Sequence, residues 1–362
     1  MERLMLEASR YLLTAGDLAV LAPQGAGEQA PAGAQVHELA SNPTWRMLLG
    51  TAWRGRQISR AFMPDLVLAS SGLMAPAAYI AARQRKLPYA IFVHGLDIVY
   101  PHPVYQRLFL PAIRRANQVI ANSSYTAELA RAKGISGDRL QILHPGVQTR
   151  LDAASAEEIE QFRRKNDLDG TLLLSVGRLT PRKGLAEFVD RSLPGILEAV
   201  PDALLVIVGE DATQALGQGV ARDAIIAAAR RRGVSDHIRF LGKLPEASLQ
   251  LAWQASQLHV FPIRAIPGDV EGFGMVAMEA AARGLWTIAF SVGGVVDAVS
   301  PGQSGVLVAQ NDYEGFSRAV VEALSGENVK HPEQARQYAQ GFDWSRYGER
   351  LLEICRGLSA AG

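Results

Sequence analysis

The 362-residue chain is 48% apolar and 20% charged, a globular composition too long for one ordinary core, so two domains are expected. Its single cysteine, Cys355, excludes a disulfide framework or a cysteine-built zinc cluster, and no run of about eighteen apolar residues is present to span a membrane. The net charge of +1 hides a split, because residues 1–150 carry 16 Lys/Arg against 9 Asp/Glu while residues 151–362 carry 21 against 27.

The basic half suits anionic partners such as lipid headgroups or a phosphorylated acceptor, and ordinary variation between domains explains it about as well. The opening MERLMLEASRYLL lacks the basic region and cleavage site of a secretory signal, so the protein is expected in the cytoplasm or at the inner face of the cytoplasmic membrane.

In chain order, the sequence begins inside a helical stretch at Met1, with Leu4, Ala8, Tyr11 and Leu12 on one face. A doubly wound domain ordinarily opens with a buried strand, so the first strand of the N-terminal domain is expected to be missing. Strands follow at 17–21, 65–69, 89–93, 118–121 and 140–144, with helical stretches between them. The stretch WRMLLGTAWRGRQISRAF (45–62) mixes tryptophans with four arginines. It admits an interfacial helix lying on a membrane, but its two glycines favour core packing with a basic outer face.

Domains are expected at 1–150 and 151–340, joined near GVQTRLDAASAEE, with a final helical segment at 341–362 packing back on the first domain. The second half alternates strands at 171–176, 203–208, 237–241, 257–261, 286–290 and 305–308 with helices at 184–200, 221–232, 246–255, 275–283 and 312–324. Such alternation predicts an α/β fold of two Rossmann-like, doubly wound domains, each a parallel sheet with helices on both faces. Ligands of open sheets bind beyond the strand carboxyl ends, so a cleft faced by both domains is the expected site.

The segment GDVEGFGMVAMEA (268–280) sets Glu271 on a glycine-rich bend and Glu279 eight residues on. Eight helical residues rise about 12 Å, which would let the two acids hold opposite ends of an extended ligand with a diphosphate between them. A second Glu-Gly-Phe segment, NDYEGFSRAVVEAL, has Glu314 and Glu322 at the same spacing, but follows the capping pair Asn311-Asp312 and reads as a surface helix. In SVGRLTPRKG (175–184), Gly177 allows close approach while Arg178, Arg182 and Lys183 crowd a strand's carboxyl end, a set suited to a departing diphosphate or to a solvated basic turn. Its spacing is not that of a P-loop. In FVHGLD (92–97), His94 and Asp97 follow a buried strand. The weaker signals VGED (208–211) and SVGGVVDAV (291–299) add a strand end with acids and an anion nest at Gly293-Gly294.

Together SVGRLTPRKG, VIVGED, RFLGKLP, EGFGMVAME and GGVVDAVSPGQSGVLV, in this order, are similar to the retaining GT-B glycosyltransferases of the family 4 type. The first half is similar more loosely, through VHGLD, NSSYTAELA and HPGV. The resemblance implies transfer from a nucleotide diphosphate sugar, GDP-mannose-like or UDP-linked, to a glycan or lipid-linked acceptor. Anomeric configuration is kept, and no metal or other cofactor is required. Carried over by position, Arg178 and Lys183 bind the diphosphate, Glu271 the sugar hydroxyls and Glu279 the ribose.

Gly177 and Arg182 join the donor site from the loop reading above; by the resemblance Phe273, Gly274, Met275 and Val276 line it near sugar and phosphate, Lys243 meets the base, and His94 orients sugar or acceptor at the reacting centre. The implied setting is surface polysaccharide or lipopolysaccharide assembly, with contact to an anionic membrane and no nucleic acid. The chain departs from the pattern at Gln148, where the family often has aspartate, and in the absent first strand with its glycine loop. A nucleotide-sugar epimerase on the same architecture, or an inactive nucleotide-binding homologue, stays open.

Overall fold

A computed structural model describes residues 2–40, 42–211, 220–326 and 331–360; Met1, expected to be helical, lies outside the described residues. The chain divides into two compact units, residues 1–146 with 344–362, and residues 147–343.

The first unit begins with helix α1 (Glu2–Leu13). Strand β1 (Ala19–Pro23) pairs in parallel with β2 (Gln35–Leu39) alone. Helix α2 (Thr44–Phe62) follows, and then β3 (Val67–Ala69), α3 (Ala75–Arg83), β4 (Tyr89–Val93), β5 (Gln118–Ala121) and β6 (Leu140–Ile142). Strands β3 to β6 form a separate parallel sheet in that order. The expectation of one sheet is therefore corrected: no strand among the described residues joins β1 to β3. Strand β2 was also not foreseen, because QVHEL interleaves polar residues with apolar ones and only half-buries the latter.

The core of this unit lies under β4 and β5, where Ile91, Val93, Val119 and Ala121 meet the alanine face of α3 and the fully buried Ile113. Truncating a side chain as buried as Ile91 to alanine typically costs about 2–5 kcal/mol. The last helix, Trp344–Ala360, packs on α1 with no room to spare, since a Cβ at Gly348 would lie 2.1 Å from the Tyr11 ring.

The 45–62 stretch corrects the core-packing reading. It is helical through both glycines, and it turns Trp45, Leu49 and Trp53 outward. Its small residues face the protein instead. Ser59 is buried and its hydroxyl donates to Ala81 O at 3.3 Å, while a Cβ at Gly55 would touch Ala81 at 3.7 Å.

The second unit is one six-stranded parallel sheet built from β7 (Thr171–Val176), β8 (Ala203–Val208), β9 (Ile238–Gly242), β10 (Leu258–Phe261), β11 (Thr287–Phe290) and β12 (Gly305–Val308), in the order β12-β11-β10-β7-β8-β9. In the central runs TLLLSV and ALLVIV, residues 172–175 and 203–208 are buried because helices cover both faces, and only Thr171 and Ser175 are polar. The helix expected over 184–200 is two helices, Leu185–Arg191 and Leu193–Ala199. Pro194 has no N–H to continue the first, and Ser192 at the break sends its hydroxyl to Tyr313 O. The helix Tyr313–Ser325 carries the second Glu-Gly-Phe segment; the Asp312 carboxylate accepts from Gly315 N at 2.8 Å and Glu314 is exposed, as a surface helix requires.

Candidate active site

The strand order of the second unit reverses between β7 and β10. The chain winds outward through β8 and β9 on one side, then through β11 and β12 on the other, which leaves a crevice at the carboxyl ends of β7 and β10. Both basic and acidic motifs converge there. β7 exits into Gly177 (φ +137°), and a Cβ on Gly209 of the neighbouring strand end would sit 2.0 Å from Gly177 O. A tight turn, Pro181–Lys183, then ends at Gly184 (φ +69°), where a Cβ would lie 1.9 Å from Pro262 O after β10. Arg264 N donates to Arg182 O at 2.9 Å and locks the two loops together.

The acidic loop is held as firmly. Ile266-Pro267-Gly268-Asp269 is a turn with proline at its second place and positive φ (+78°) at Gly268, closed by Asp269 N donating to Ile266 O at 3.0 Å. Gly294 N donates to Glu271 O at 2.9 Å, and a Cβ at Gly294 would meet Gly272 O at 2.0 Å. This corrects the anion nest expected at Gly293-Gly294, whose Gly294 amide is spent on the protein backbone. Gly274 (φ +93°) then opens the helix Met275–Ala282.

Four charged side chains meet on this frame. The Lys183 ammonium lies 3.1 Å from Glu271 Oε2 and 4.6 Å from the centre of the Phe261 ring. Arg182 bonds the same Glu271 oxygen through Nη1 and reaches Asp269 Oδ1 through Nε at 3.0 Å. Burial alone would raise the Glu271 carboxyl, but Lys183 and Arg182 hold it below the usual carboxylate range. Burial lowers the Lys183 ammonium, with Arg182 and Arg178 adding repulsion and Glu271 opposing. Burial likewise works against the Arg182 charge, and Glu271 and Asp269 more than offset it.

The expected donor residues fall into four groups. Gly177, Arg182, Lys183 and Glu271 are together, and a Cβ at Gly177 would be 3.7 Å from Lys183 Nζ. Phe273, Gly274, Met275 and Val276 form the turn and first residues of the following helix, with Phe273 buried and its ring 6.1 Å from that of Phe342. Arg178 and Lys243 are exposed, each just beyond a strand end of this sheet, and neither makes a hydrogen bond or ion pair among the described residues. Glu279 is half-buried within the helix. The 12 Å helical rise expected between the two glutamates is corrected, because residues 271–274 form a turn and the helix begins only at Met275.

His94 belongs to the first unit, directly after β4. Its Nε2 lies 2.9 Å from Ser70 O, an acceptor only, so Nε2 carries a proton. Its backbone N–H donates to Asp97 Oδ2 at 2.9 Å. Burial raises the Asp97 carboxyl, opposed by His94 and by the amides of His94 and Gly72.

Sequence reasoning missed Asp269, which shares Arg182 with Glu271, and the Phe261 ring beneath Lys183. It also missed His259, fully buried with Nδ1 3.0 Å from Thr287 Oγ1 and Nε2 unpaired. The Thr180 hydroxyl, buried without a hydrogen-bond partner in the basic loop, is a further polar atom there. A lone histidine in an apolar strand and an aspartate two residues before Glu271 were the available signals.

The Rossmann-like sheets, with a basic strand-end loop facing an acidic loop at the switch point, define an α/β protein of the GT-B fold. The chain belongs to the glycosyl transferases group 1 family, whose model matches residues 157–342, and a second model, glycosyltransferase family 4, matches residues 1–151. A GDP-mannose-dependent alpha-(1-6)-phosphatidylinositol monomannoside mannosyltransferase of Mycolicibacterium smegmatis is 27% identical over 97% of this chain and 93% of its own length. A D-inositol 3-phosphate glycosyltransferase of Catenulispora acidiphila is 29% identical over 82% of this chain and 73% of its own. Among solved structures, Anabaena HepE in complex with UDP superposes with a TM-score of 0.81 at 18% identity, covering 98% of this chain and 96% of that one. A glycosyltransferase of Rickettsia africae superposes with a TM-score of 0.82 at 19% identity, covering 99% and 94%.

Proposed function

We propose that the protein moves a sugar from a nucleotide diphosphate sugar to a membrane-borne glycan or glycolipid acceptor, keeping the anomeric configuration, in surface polysaccharide or lipopolysaccharide assembly. The observation that carries this is the Arg182–Glu271–Lys183 cluster at the β7/β10 switch point, with Arg178 unpaired beside it. Glu271 has two cationic partners. Lys183 can therefore turn to a phosphate while Arg182 keeps the acid ionised.

In this reading the bond from the anomeric carbon to the diphosphate oxygen breaks, and a bond to the acceptor oxygen forms on the same face. The acceptor proton passes to the departing diphosphate. Arg178, Lys183 and the amides at Met275 and Val276 stabilise the charge that gathers on the diphosphate, so no metal is invoked. Glu271 holds the sugar hydroxyls, Glu279 the ribose and Lys243 the base, while His94 orients the sugar or acceptor through Nδ1. Arg182 acts on the donor through Glu271 and Asp269. The named activity of the mannosyltransferase supports GDP-mannose as donor, and the UDP bound in the HepE structure supports a UDP-sugar.

The test is release of GDP or UDP from candidate donors by the wild-type chain and by Lys183→Ala and Glu271→Ala. A loss of about tenfold or more in both variants is expected. Unchanged release in both, or an isomerised donor in place of a transferred sugar, would overturn the reading.

A further inference from the structure

We propose that Phe261 is a positioning residue of the diphosphate site, its ring face serving as the seat on which the Lys183 ammonium rests and turns. Phe261 is the last residue of β10, and Lys183 comes from the tight turn after β7. The ammonium lies 4.6 Å from the ring centre. A Cβ on Gly274 would lie 3.2 Å from Phe261 Cε1, so the ring also abuts the start of the helix Met275–Ala282. One aromatic side chain thus touches both elements assigned above to the leaving diphosphate.

The ring has little freedom. It is 1% exposed and lies 5.4 Å from the fully buried His259 ring at an interplanar angle of 28°. His259 in turn packs 5.3 Å from the Trp253 ring and meets Thr287 Oγ1. The lysine tail also lies close to bare backbone, since a Cβ on Gly177 would stand 3.5 Å from Lys183 Cε.

The chemistry explains why a ring suits this place. An ammonium has three N–H donors, and one of them meets Glu271 at 3.1 Å. The ring face attracts the charge through its quadrupole, and the attraction grows where water is excluded, as it is around the largely buried Lys183. A further carboxylate would hold the ammonium too, but would repel an incoming diphosphate. The ring does not, so Lys183 can exchange Glu271 for phosphate without leaving Phe261. Burial, Arg182 and Arg178 oppose the Lys183 charge, and Glu271 supports it. Buried His259, which ionises only at about 3, is the remaining titratable neighbour.

The catalytic consequence rests on the function proposed above, whereas the seating is read with no donor present. Mono-, di- and trifluorinated phenylalanine are placed at position 261, which withdraws negative charge from the ring face in steps while largely keeping its shape. The Lys183 ammonium is followed by NMR titration of isotope-labelled lysine, assigned against Lys183→Ala. Its ionisation should move to lower pH with each fluorine. Nucleotide release at saturating donor should fall in step, by about tenfold at the trifluorinated ring, and the series should lose its slope in the Lys183→Ala background. That background separates ring charge from crowding at Gly274. Unchanged Lys183 ionisation would overturn the seating whether or not the protein turns over. Release that ignores the fluorines, or falls equally without Lys183, would overturn the positioning role. Failure of the wild type to release nucleotide from any donor would overturn the proposed function and with it this role in catalysis, while the ionisation series would still decide the seating.

Discussion

Lys183 and Glu271 face each other across the β7/β10 switch point with Nζ 3.1 Å from Oε2, although 88 residues separate them in the chain. Both side chains are only 15% exposed, so the pair is largely removed from water. Replacing Lys183 by alanine should leave Glu271 on Arg182 alone and remove a cation from the diphosphate site. We expect transfer to fall by about a hundredfold, mainly in kcat, since the charge it meets develops in the transition state. Single-turnover kinetics with saturating donor measures this.

Arg182 should behave differently from Lys183. Its guanidinium bridges Asp269 and Glu271 and positions both. Arg182→Ala leaves two partly buried carboxylates short of a cation, and a loss of about 1–3 kcal/mol in stability is expected, below the range for a fully buried pair because Asp269 is half exposed. Urea denaturation of Arg182→Ala beside Lys183→Ala reads the difference. Equal stability to wild type would show that the bridge contributes nothing.

The pH dependence of stability should carry a signature of His259. Burial first, and the Lys183 charge second, push its imidazole down to about 3. The unfolded chain binds the proton near pH 6.5, whereas the folded chain does not until about 3. The unfolded state therefore holds more protons in this window, and stability must fall as pH drops from about 6.5 toward 3, by up to about 1.4 kcal/mol per unit. Between about pH 7 and 5 ordinary carboxylates contribute little, so His259→Phe should flatten this limb by close to one proton. Urea midpoints across that range check it.

Gly294→Ala should impair activity without touching any charged group. The new Cβ would fall 2.0 Å from Gly272 O, and the Gly294 amide holds Glu271 O. The acidic loop must shift, and a displacement of about 1 Å at a positioning residue commonly reduces rate by about a hundredfold. Nucleotide release by the variant, with circular dichroism to confirm its fold, provides the check.

Much of the second unit was legible because its strands are buried on both faces and read as largely apolar runs such as TLLLSV and ALLVIV. The basic and acidic loops were legible as motifs because glycines at unusual φ mark where backbones crowd. Arg182 was not legible in its role: three cations in one loop look alike until the fold brings Asp269 beside one of them. Strand β2 escaped because a short, half-buried strand has weak alternation. The α2 face was misjudged because a tryptophan–leucine stripe normally means a core, and only the packing of Gly55 and Ser59 against Ala81 shows which side is inward.

The most direct measurement is calorimetric titration of GDP and UDP, and of the matching monophosphates, into wild type, Arg178→Ala and Lys183→Ala. A cradle for the diphosphate at the β7 strand end predicts that one diphosphate binds wild type and that each variant weakens it by about tenfold or more. The monophosphate should change far less. Diphosphate affinity that is the same in all three proteins would contradict the account.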